Sequence, residues 1–97
     1  MTIKEADPKT KKRYTAIFRL HKGGKVIKIT HFGQRGGKTY IDEGNKTKRK
    51  NFRARHKRDL DTKDFKRAGF LSMGLLWGEH TSLKKNIDAY KKKYNLD

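Results

Sequence analysis

The chain has 97 residues, a length that predicts one small domain, and only 32% of them are hydrophobic. It contains no cysteine, which excludes disulfides, thiolate metal sites and cysteine catalysis. The formal net charge is +17, whereas a small domain needs a net charge of only about 2 to 8 to stay soluble.

This excess of positive charge predicts a polyanionic partner. Nucleic acid is the most common polyanion, ahead of an anionic membrane surface or an acidic protein. The sequence contains no run of about 18 apolar residues, and no apolar segment follows Met1. We therefore expect a protein that is neither membrane-spanning nor secreted. We expect it to occur where its polyanionic partner is found, in a nucleus, a cytoplasm or a virion.

The N-terminal stretch, residues 1–13, contains the only proline and shows no apolar periodicity. Basic segments without a periodic apolar pattern are commonly mobile and become ordered on contact with a partner. We therefore predict a flexible basic arm over residues 1–13, followed by a single small α+β domain over residues 14–97.

The segment from Tyr14 to Phe32 predicts a β-hairpin, because two runs rich in β-branched and aromatic residues flank a Gly23-Gly24 turn. A two-residue turn at this position places Lys22 opposite Lys25. In the register that follows, the predicted buried face consists of Phe18, Leu20, Ile27 and Ile29.

Residues 33–38 form a basic, glycine-rich loop with the sequence GQRGGK. Glycine allows a backbone to approach a phosphate closely, and successive N–H groups can cradle an anion. Arg35 and Lys38 are therefore candidate phosphate contacts. The same pattern is also typical of a plain turn that leads to a short third strand at residues 39–41, and this alternative stays open.

The most basic stretch, Asn45 to Leu60, predicts a helix that is capped by Asp42 or Asn45. Three residues recur every four positions and are expected to dock on the core: Phe52, His56 and Leu60. The cations of this stretch that are predicted to contact nucleic acid are Lys46, Lys48, Arg49, Lys50, Arg53, Lys57 and Arg58. The alternative is a solvated helix that only keeps the protein soluble.

Residues 62–78 hold the densest apolar cluster and predict a short helical segment that ends at Gly78. Thr81 or Ser82 is expected to begin the last helix, which has a clean amphipathic pattern. The apolar stripe of that helix consists of Leu83, Ile87, Tyr90 and Tyr94. The residues predicted to pack against the hairpin are Phe52, Leu71, Leu75, Leu76, Trp77, Leu83, Ile87 and Tyr90.

The sequence offers little support for an active site. None of the four histidines has the spacing of a metal-binding motif. Asp59, Asp61 and Asp64 are imaginable Mg²⁺ ligands of a nuclease, but we expect two of them to lie in a connection. We therefore predict no enzyme, no catalytic or metal-binding residue and no cofactor.

Four segments carry a resemblance to a known family: FGQRGGKTYID from Phe32, FRARHKR from Phe52, AGFLSMGLLWG from Ala68 and SLKKNIDAYKKKY from Ser82. The sequence resembles a family of small basic proteins of unknown function from large nucleocytoplasmic DNA viruses of algae and amoebae, of the chlorovirus and mimivirus type. The loop at residues 33–38 departs from that pattern because it is longer. The resemblance implies a viral origin and a compact accessory protein, and it implies no catalytic residue.

The expected fold is α+β, with an N-terminal β-hairpin or three-stranded antiparallel sheet packed against two longer helices and one short helical segment. The first functional hypothesis is a non-enzymatic binder of viral DNA that contacts phosphates with little sequence specificity and organises or packages the genome. DNA is preferred over RNA as the partner. The alternative is a minor capsid or cement protein of the virion, whose charge bridges acidic capsid proteins or the inner membrane.

Overall fold

A three-stranded antiparallel sheet and a set of helices make up the protein, as seen in a computed structural model that describes residues 1–21 and 23–96. The strand order is β1-β2-β3. The strands are β1 (Thr2–Glu5), β2 (Lys12–Arg19) and β3 (Val26–Gln34). The helices are α1 (Tyr40–Glu43), α2 (Lys46–Arg55), a 3₁₀ turn (Lys57–Leu60), α3 (Ala68–Leu71), which continues as a π-helix (Ser72–Leu76), and α4 (Leu83–Lys93). The α+β prediction is confirmed.

The N-terminal stretch differs from the predicted flexible arm, because part of it belongs to the sheet. Strand β1 pairs with β2 in antiparallel register, with Thr2 opposite Ile17. Met1 and Ala6 are 8% and 5% exposed, and Ile3 packs against the core. A four-residue strand is too short to show a periodic apolar pattern, so this strand has no recognisable signal in the sequence.

The hairpin of β2 and β3 exists, but its predicted register is wrong by one residue. Leu20 and Lys25 close the loop through a hydrogen bond from Leu20 N to Lys25 O, so the loop has four residues rather than two. A bulge follows, because Phe18 lies opposite Lys28 whereas Arg19 lies opposite Val26. The predicted partner of Lys25, Lys22, lies outside the described residues.

A one-residue slip exchanges the two faces of a strand. Phe18 is buried as predicted, but three other residues of the predicted face are exposed: Leu20 (69%), Ile27 (49%) and Ile29 (55%). Ala16 and Phe32 take their place and are fully buried. The observed register therefore places the larger Phe32 ring in the core on the same face as Phe18, and leaves the isoleucines of β3 on the outer face.

Residues 39–41 do not form the predicted third strand; they begin the short helix α1. Asp42 accepts hydrogen bonds from Thr39 N and Oγ1, both at 2.8 Å, and so caps the first turn. Its carboxylate also forms a bidentate pair with Arg13 at 2.6 and 2.7 Å. The Arg13 guanidinium holds the pKa of Asp42 well below its usual range. Asp42 thus fastens β2 to α1 instead of capping α2.

Helix α2 begins where the sequence predicts, because the Asn45 side chain accepts a hydrogen bond from Lys48 N at 3.0 Å. Helix α2 ends at Arg55, His56 caps it, and a 3₁₀ turn follows. The Phe52 ring stacks on Trp77 with ring centroids 4.2 Å apart and on His56 at the same separation. The stripe of Phe52, His56 and Leu60 is therefore the half-buried side of this segment, as predicted.

The C-terminal half of the chain supplies most of the core. Trp77 N donates to Ser72 O at 3.1 Å, an i to i−5 bond that gives the π-helical turn. A Cβ atom on Gly74 would lie 2.6 Å from the Tyr90 ring, so only glycine lets α4 approach this closely. The buried apolar residues that form the core are Met1, Ala16, Phe18, Phe32, Tyr40, Phe70, Leu71, Leu75, Leu76, Trp77 and Tyr90.

A buried side chain that the sequence analysis missed, Asn86 on α4, ties the end of the π-helix to α4. Its Nδ2 donates to Leu75 O at 3.0 Å and to His80 O at 2.8 Å. Its Oδ1 accepts from His80 N at 3.0 Å. Within residues 1–21 and 23–96, no helix is long and apolar enough to cross a lipid bilayer.

Candidate nucleic-acid interface

The outward face of α2 and the following 3₁₀ turn carries a group of exposed cations. Among the described residues, their side chains form no ion pair or hydrogen bond. The members that the sequence analysis predicted are Lys46, Lys50, Lys57 and Arg58. Arg55 is also exposed and unpaired and joins them, although it was not predicted as a contact. We call these five residues the outer cation face.

Lys48 lies close to the outer cation face, but it pairs with Glu43. Its Nζ lies 2.8 Å from Glu43 Oε1, and the two side chains are 45% and 41% exposed. Exposed ion pairs of this kind contribute only about 0 to 1 kcal/mol. Lys48 can therefore still bind an external phosphate, because breaking its ion pair with Glu43 costs little free energy.

Arg49 and Arg53 point the other way, toward the core. Arg49 Nε donates to Trp77 O at 3.1 Å and to Gly78 O at 2.8 Å. Arg53 Nη1 donates to Met73 O at 3.1 Å and to Trp77 O at 3.0 Å. These carbonyls end the π-helix, where positive charge is favourable and free acceptors need partners. Both arginines therefore hold the fold together and are not part of the outer cation face.

A groove of about 310 Å³ opens beside these two arginines, between α2 and α4. Arg49 and Arg53 line one side, and Tyr94 and Lys93 line another. Burial and the neighbouring charge of Arg49 lower the pKa of Arg53. The two guanidinium groups form no ion pair with a carboxylate within the described part of the chain.

The two candidate residues of the glycine loop have different surroundings. Gly37 N donates to Gln34 O at 3.2 Å, so the loop is a β-turn. Arg35 reaches back to the start of β2 and the loop before it: its Nη2 donates to Lys12 O at 2.9 Å and its Nε to Thr10 O at 3.3 Å. Arg35 therefore braces the sheet, whereas Lys38 is exposed and unpaired.

The acidic and histidine residues are dispersed. Asp59 lies 3.4 Å from His56 Nδ1, and His31 Nδ1 lies 2.8 Å from Thr15 Oγ1. Over the described ranges, 1–21 and 23–96, no three His, Asp or Glu side chains come together as a possible metal site.

Comparison with known proteins places the chain in a family. Residues 5–56, which are more than half of the chain, match the Family of unknown function (DUF5754). The chain belongs to this family. No curated protein and no solved structure matches the chain.

The segment shared with the DUF5754 family runs from the end of β1 through α2 to His56. It includes strands β2 and β3, the Arg13–Asp42 pair and three of the five residues of the outer cation face. The other two, Lys57 and Arg58, follow the matched segment directly. The family name states no activity.

Proposed function

We propose that the protein is a non-enzymatic nucleic-acid-binding protein that contacts phosphates with little sequence specificity. The observation that supports this function is the outer cation face. Five cations lie on a short stretch of surface, and their side chains have no acidic partner among the described residues. The like charges on such a surface repel one another. Binding to a polyanion relieves this repulsion and releases counterions, which lowers the free energy.

The dimensions of α2 suit a nucleic-acid backbone. Ten helical residues span about 15 Å at a rise of about 1.5 Å per residue. Double-stranded DNA carries one charge per about 1.7 Å of helix axis, so several phosphates lie within reach. Four of the nine predicted contacts are now weaker candidates for direct phosphate binding: Arg35, Lys48, Arg49 and Arg53 have partners within the protein.

Low sequence specificity follows from the types of residue on this face. Lys46, Lys50 and Lys57 carry compact charges on flexible stems, which suit phosphates rather than the edges of bases. The bidentate arginine contacts that read guanine have only Arg55 and Arg58 as candidates. The proposed ligand is DNA in preference to RNA. On the resemblance to viral proteins, we further propose a viral origin and a role in genome organisation or packaging, in the virion or in the nucleus or cytoplasm of the infected cell.

The test compares two variants that lose the same charge. The first replaces three lysines of the outer cation face, Lys46, Lys50 and Lys57, with Gln. The control replaces three exposed lysines of α4, Lys84, Lys85 and Lys92, with Gln. Binding to random-sequence duplex DNA is measured over a series of salt concentrations. Each lost phosphate contact reduces the log–log slope by about 0.9, so the first variant is expected to lose roughly 3 units of slope and the control almost none.

Equal losses in both variants would mean that net charge alone determines affinity, and the outer cation face would have no special role. Binding to single strands and to heparin at the same salt concentrations shows which polyanion is preferred. Tighter binding to duplex DNA than to heparin supports the proposal. Equal binding to all three would support charge neutralisation without a preferred partner.

A second function is favoured by the outer face of the sheet. Leu20, Ile27 and Ile29 are 69%, 49% and 55% exposed, and Leu20 and Ile27 line an open groove that Tyr94 also borders. Exposed apolar residues that cluster commonly mark a protein interface. This surface supports the alternative of a minor capsid or cement protein, in which the charge bridges acidic capsid proteins or membrane. Replacing Ile29 with Gln, which removes the apolar side chain without adding charge, should leave DNA affinity intact under the first proposal. Under the second, the same change should abolish incorporation into particles.

A further inference from the structure

The groove between α2 and α4 has a chemistry that the outer cation face lacks. Arg49 and Arg53 stand one helical turn apart on the inner side of α2, and both are half-buried. Their charges repel each other, and within the described residues neither contacts a carboxylate. Backbone carbonyls satisfy some of their N–H groups, but carbonyls do not neutralise charge.

Backbone carbonyls hold the two guanidinium groups, and both groups keep donors to spare. Arg49 uses only Nε, and Arg53 uses only Nη1, for the carbonyls of residues 73, 77 and 78. In the described part of the chain, the remaining Nη groups of Arg49 and the Nε and Nη2 groups of Arg53 donate to no oxygen acceptor, although the Arg49 guanidinium carbon lies 5.5 Å from the centre of the Tyr40 ring. Planar, pre-oriented guanidinium groups bind the oxygens of a phosphate through parallel hydrogen bonds.

The other sides of the groove provide one further positive charge, that of Lys93, together with an imidazole and aromatic surface. Lys93 and His80 line it, together with the rings of Phe70 and Tyr94. Glu79 also lines the groove, and its carboxylate would repel a bound anion. A volume of about 310 Å³ falls at the lower end of the range of about 300 to 1,000 Å³ that is typical of small-molecule sites.

We propose that this groove binds a phosphomonoester, with the phosphate held between Arg49 and Arg53 and the organic part against the Tyr94 ring. A dianion suits the site because Arg49, Arg53 and Lys93 outnumber the one carboxylate among the described residues that lines it, Glu79, which forms no ion pair with either arginine. The same chemistry has two sources, a free mononucleotide and the terminal phosphate of a nucleic-acid strand. The proposal concerns the inner side of α2 and does not depend on the outer cation face.

The test is calorimetric titration with thymidine 5′-monophosphate at constant ionic strength, with thymidine as the uncharged counterpart. We expect the monophosphate to bind and thymidine to bind much more weakly. Lys93→Gln should weaken monophosphate binding by about three- to five-fold, the size of one partly exposed charge contact. The matched control is Lys92→Gln, which removes the same charge from the neighbouring position outside the groove and should leave binding unchanged.

Two further variants separate a specific site from diffuse charge. Glu79→Gln removes the opposing carboxylate, so it should tighten monophosphate binding. Arg53→Lys keeps the charge but loses the planar fork, so it should weaken binding by about ten-fold or more. Because Arg53 also supports the fold, circular dichroism must first show that this variant is folded. The conclusions from Lys93→Gln and Glu79→Gln do not depend on it.

The two sources are distinguished with a short thymidine strand that carries either a 5′-phosphate or a 5′-hydroxyl group. A preference for the phosphorylated strand supports the site and assigns it to strand ends. Binding of the mononucleotide without such a preference supports the site and assigns it to free nucleotides. No binding of the monophosphate, or equal losses in Lys92→Gln and Lys93→Gln, would overturn the proposal. The variant without Lys46, Lys50 and Lys57 should still bind the monophosphate, so the two proposals can fail separately.

Discussion

Replacing Asn86 with Ala tests how the C-terminal half of the fold is held together. Asn86 is only 2% exposed, and its side chain makes three hydrogen bonds, to Leu75 O, His80 O and His80 N. A typical hydrogen bond contributes about 1 kcal/mol net to stability, and a buried partner left unsatisfied costs about 1 to 3 kcal/mol. We therefore expect Asn86→Ala to lower the free energy of unfolding by about 3 kcal/mol.

The assay is urea denaturation followed by the fluorescence of Trp77, the only tryptophan, with thermal melting as a second measurement. A loss of about 3 kcal/mol corresponds to a fall in Tm of roughly 12 to 24 °C for a domain of this size. Asn51 on α2 is exposed and supplies the matched control, because Asn51→Ala should change stability by less than about 0.5 kcal/mol.

Asn86→Asp sharpens the same test. The carboxylate keeps an acceptor for His80 N, but it loses both donors and places a negative charge against Leu75 O and His80 O. Asn86→Asp should therefore be less stable than Asn86→Ala at neutral pH. A loss below about 1 kcal/mol for Asn86→Ala, or a more stable Asp variant, would refute the role of this side chain as the link between α4 and the π-helix.

Three further predictions concern the sheet, its ion pair and the helix packing. Phe32→Ala should lower the free energy of unfolding by about 3 to 5 kcal/mol, whereas Ile29→Ala should lower it by less than about 1 kcal/mol. The reverse order in urea denaturation would contradict the observed register and support the one with a two-residue turn. The pKa of Asp42 is depressed in the folded state, so its contribution is present above the unfolded pKa of about 4 and is lost as the pH falls. Between pH 5 and pH 2 the wild type should therefore lose more stability than Asp42→Asn, and parallel curves would contradict this. Gly74→Ala should destabilise the protein by about 1 to 3 kcal/mol, because the added Cβ would clash with the Tyr90 ring. An unchanged Tm would show that α4 can shift to make room for it.

Helices with a strong periodic pattern were predictable from the sequence. The apolar stripe of α4 and the cap at Asn45 both lie where local chemistry places them. These features depend on residues within one or two turns of each other, so a single segment carries all the information. The α+β class follows for the same reason.

The register of the hairpin was not predictable in this way. Gly23-Gly24 is a preferred two-residue turn, but the observed loop spans four residues and a bulge follows it. Long-range packing selects the register of β2 and β3, because only the observed register buries Phe32 beside Ala16. The preference for a particular turn contributes less to the folding free energy than the burial of an aromatic ring does.

The roles of the arginines on α2 had a signal in the sequence. Arg49, Phe52, Arg53 and His56 follow the spacing i, i+3, i+4, i+7, which places them on one face of a helix. Since Phe52 was expected to dock on the core, the two arginines had to lie beside it. The carbonyls that they meet belong to residues 73, 77 and 78, and this long-range contact is visible only in the folded structure.

The central claim is that the outer cation face binds the phosphates of a duplex. Its most direct test is an NMR titration of the isotope-labelled protein with a random-sequence DNA duplex at low salt. We expect the largest changes in chemical shift at the amides of residues 46–58, with little change at the outer face of the sheet around Ile29. Changes concentrated on the sheet, or spread evenly over α4 and the rest of the surface, would contradict the claim.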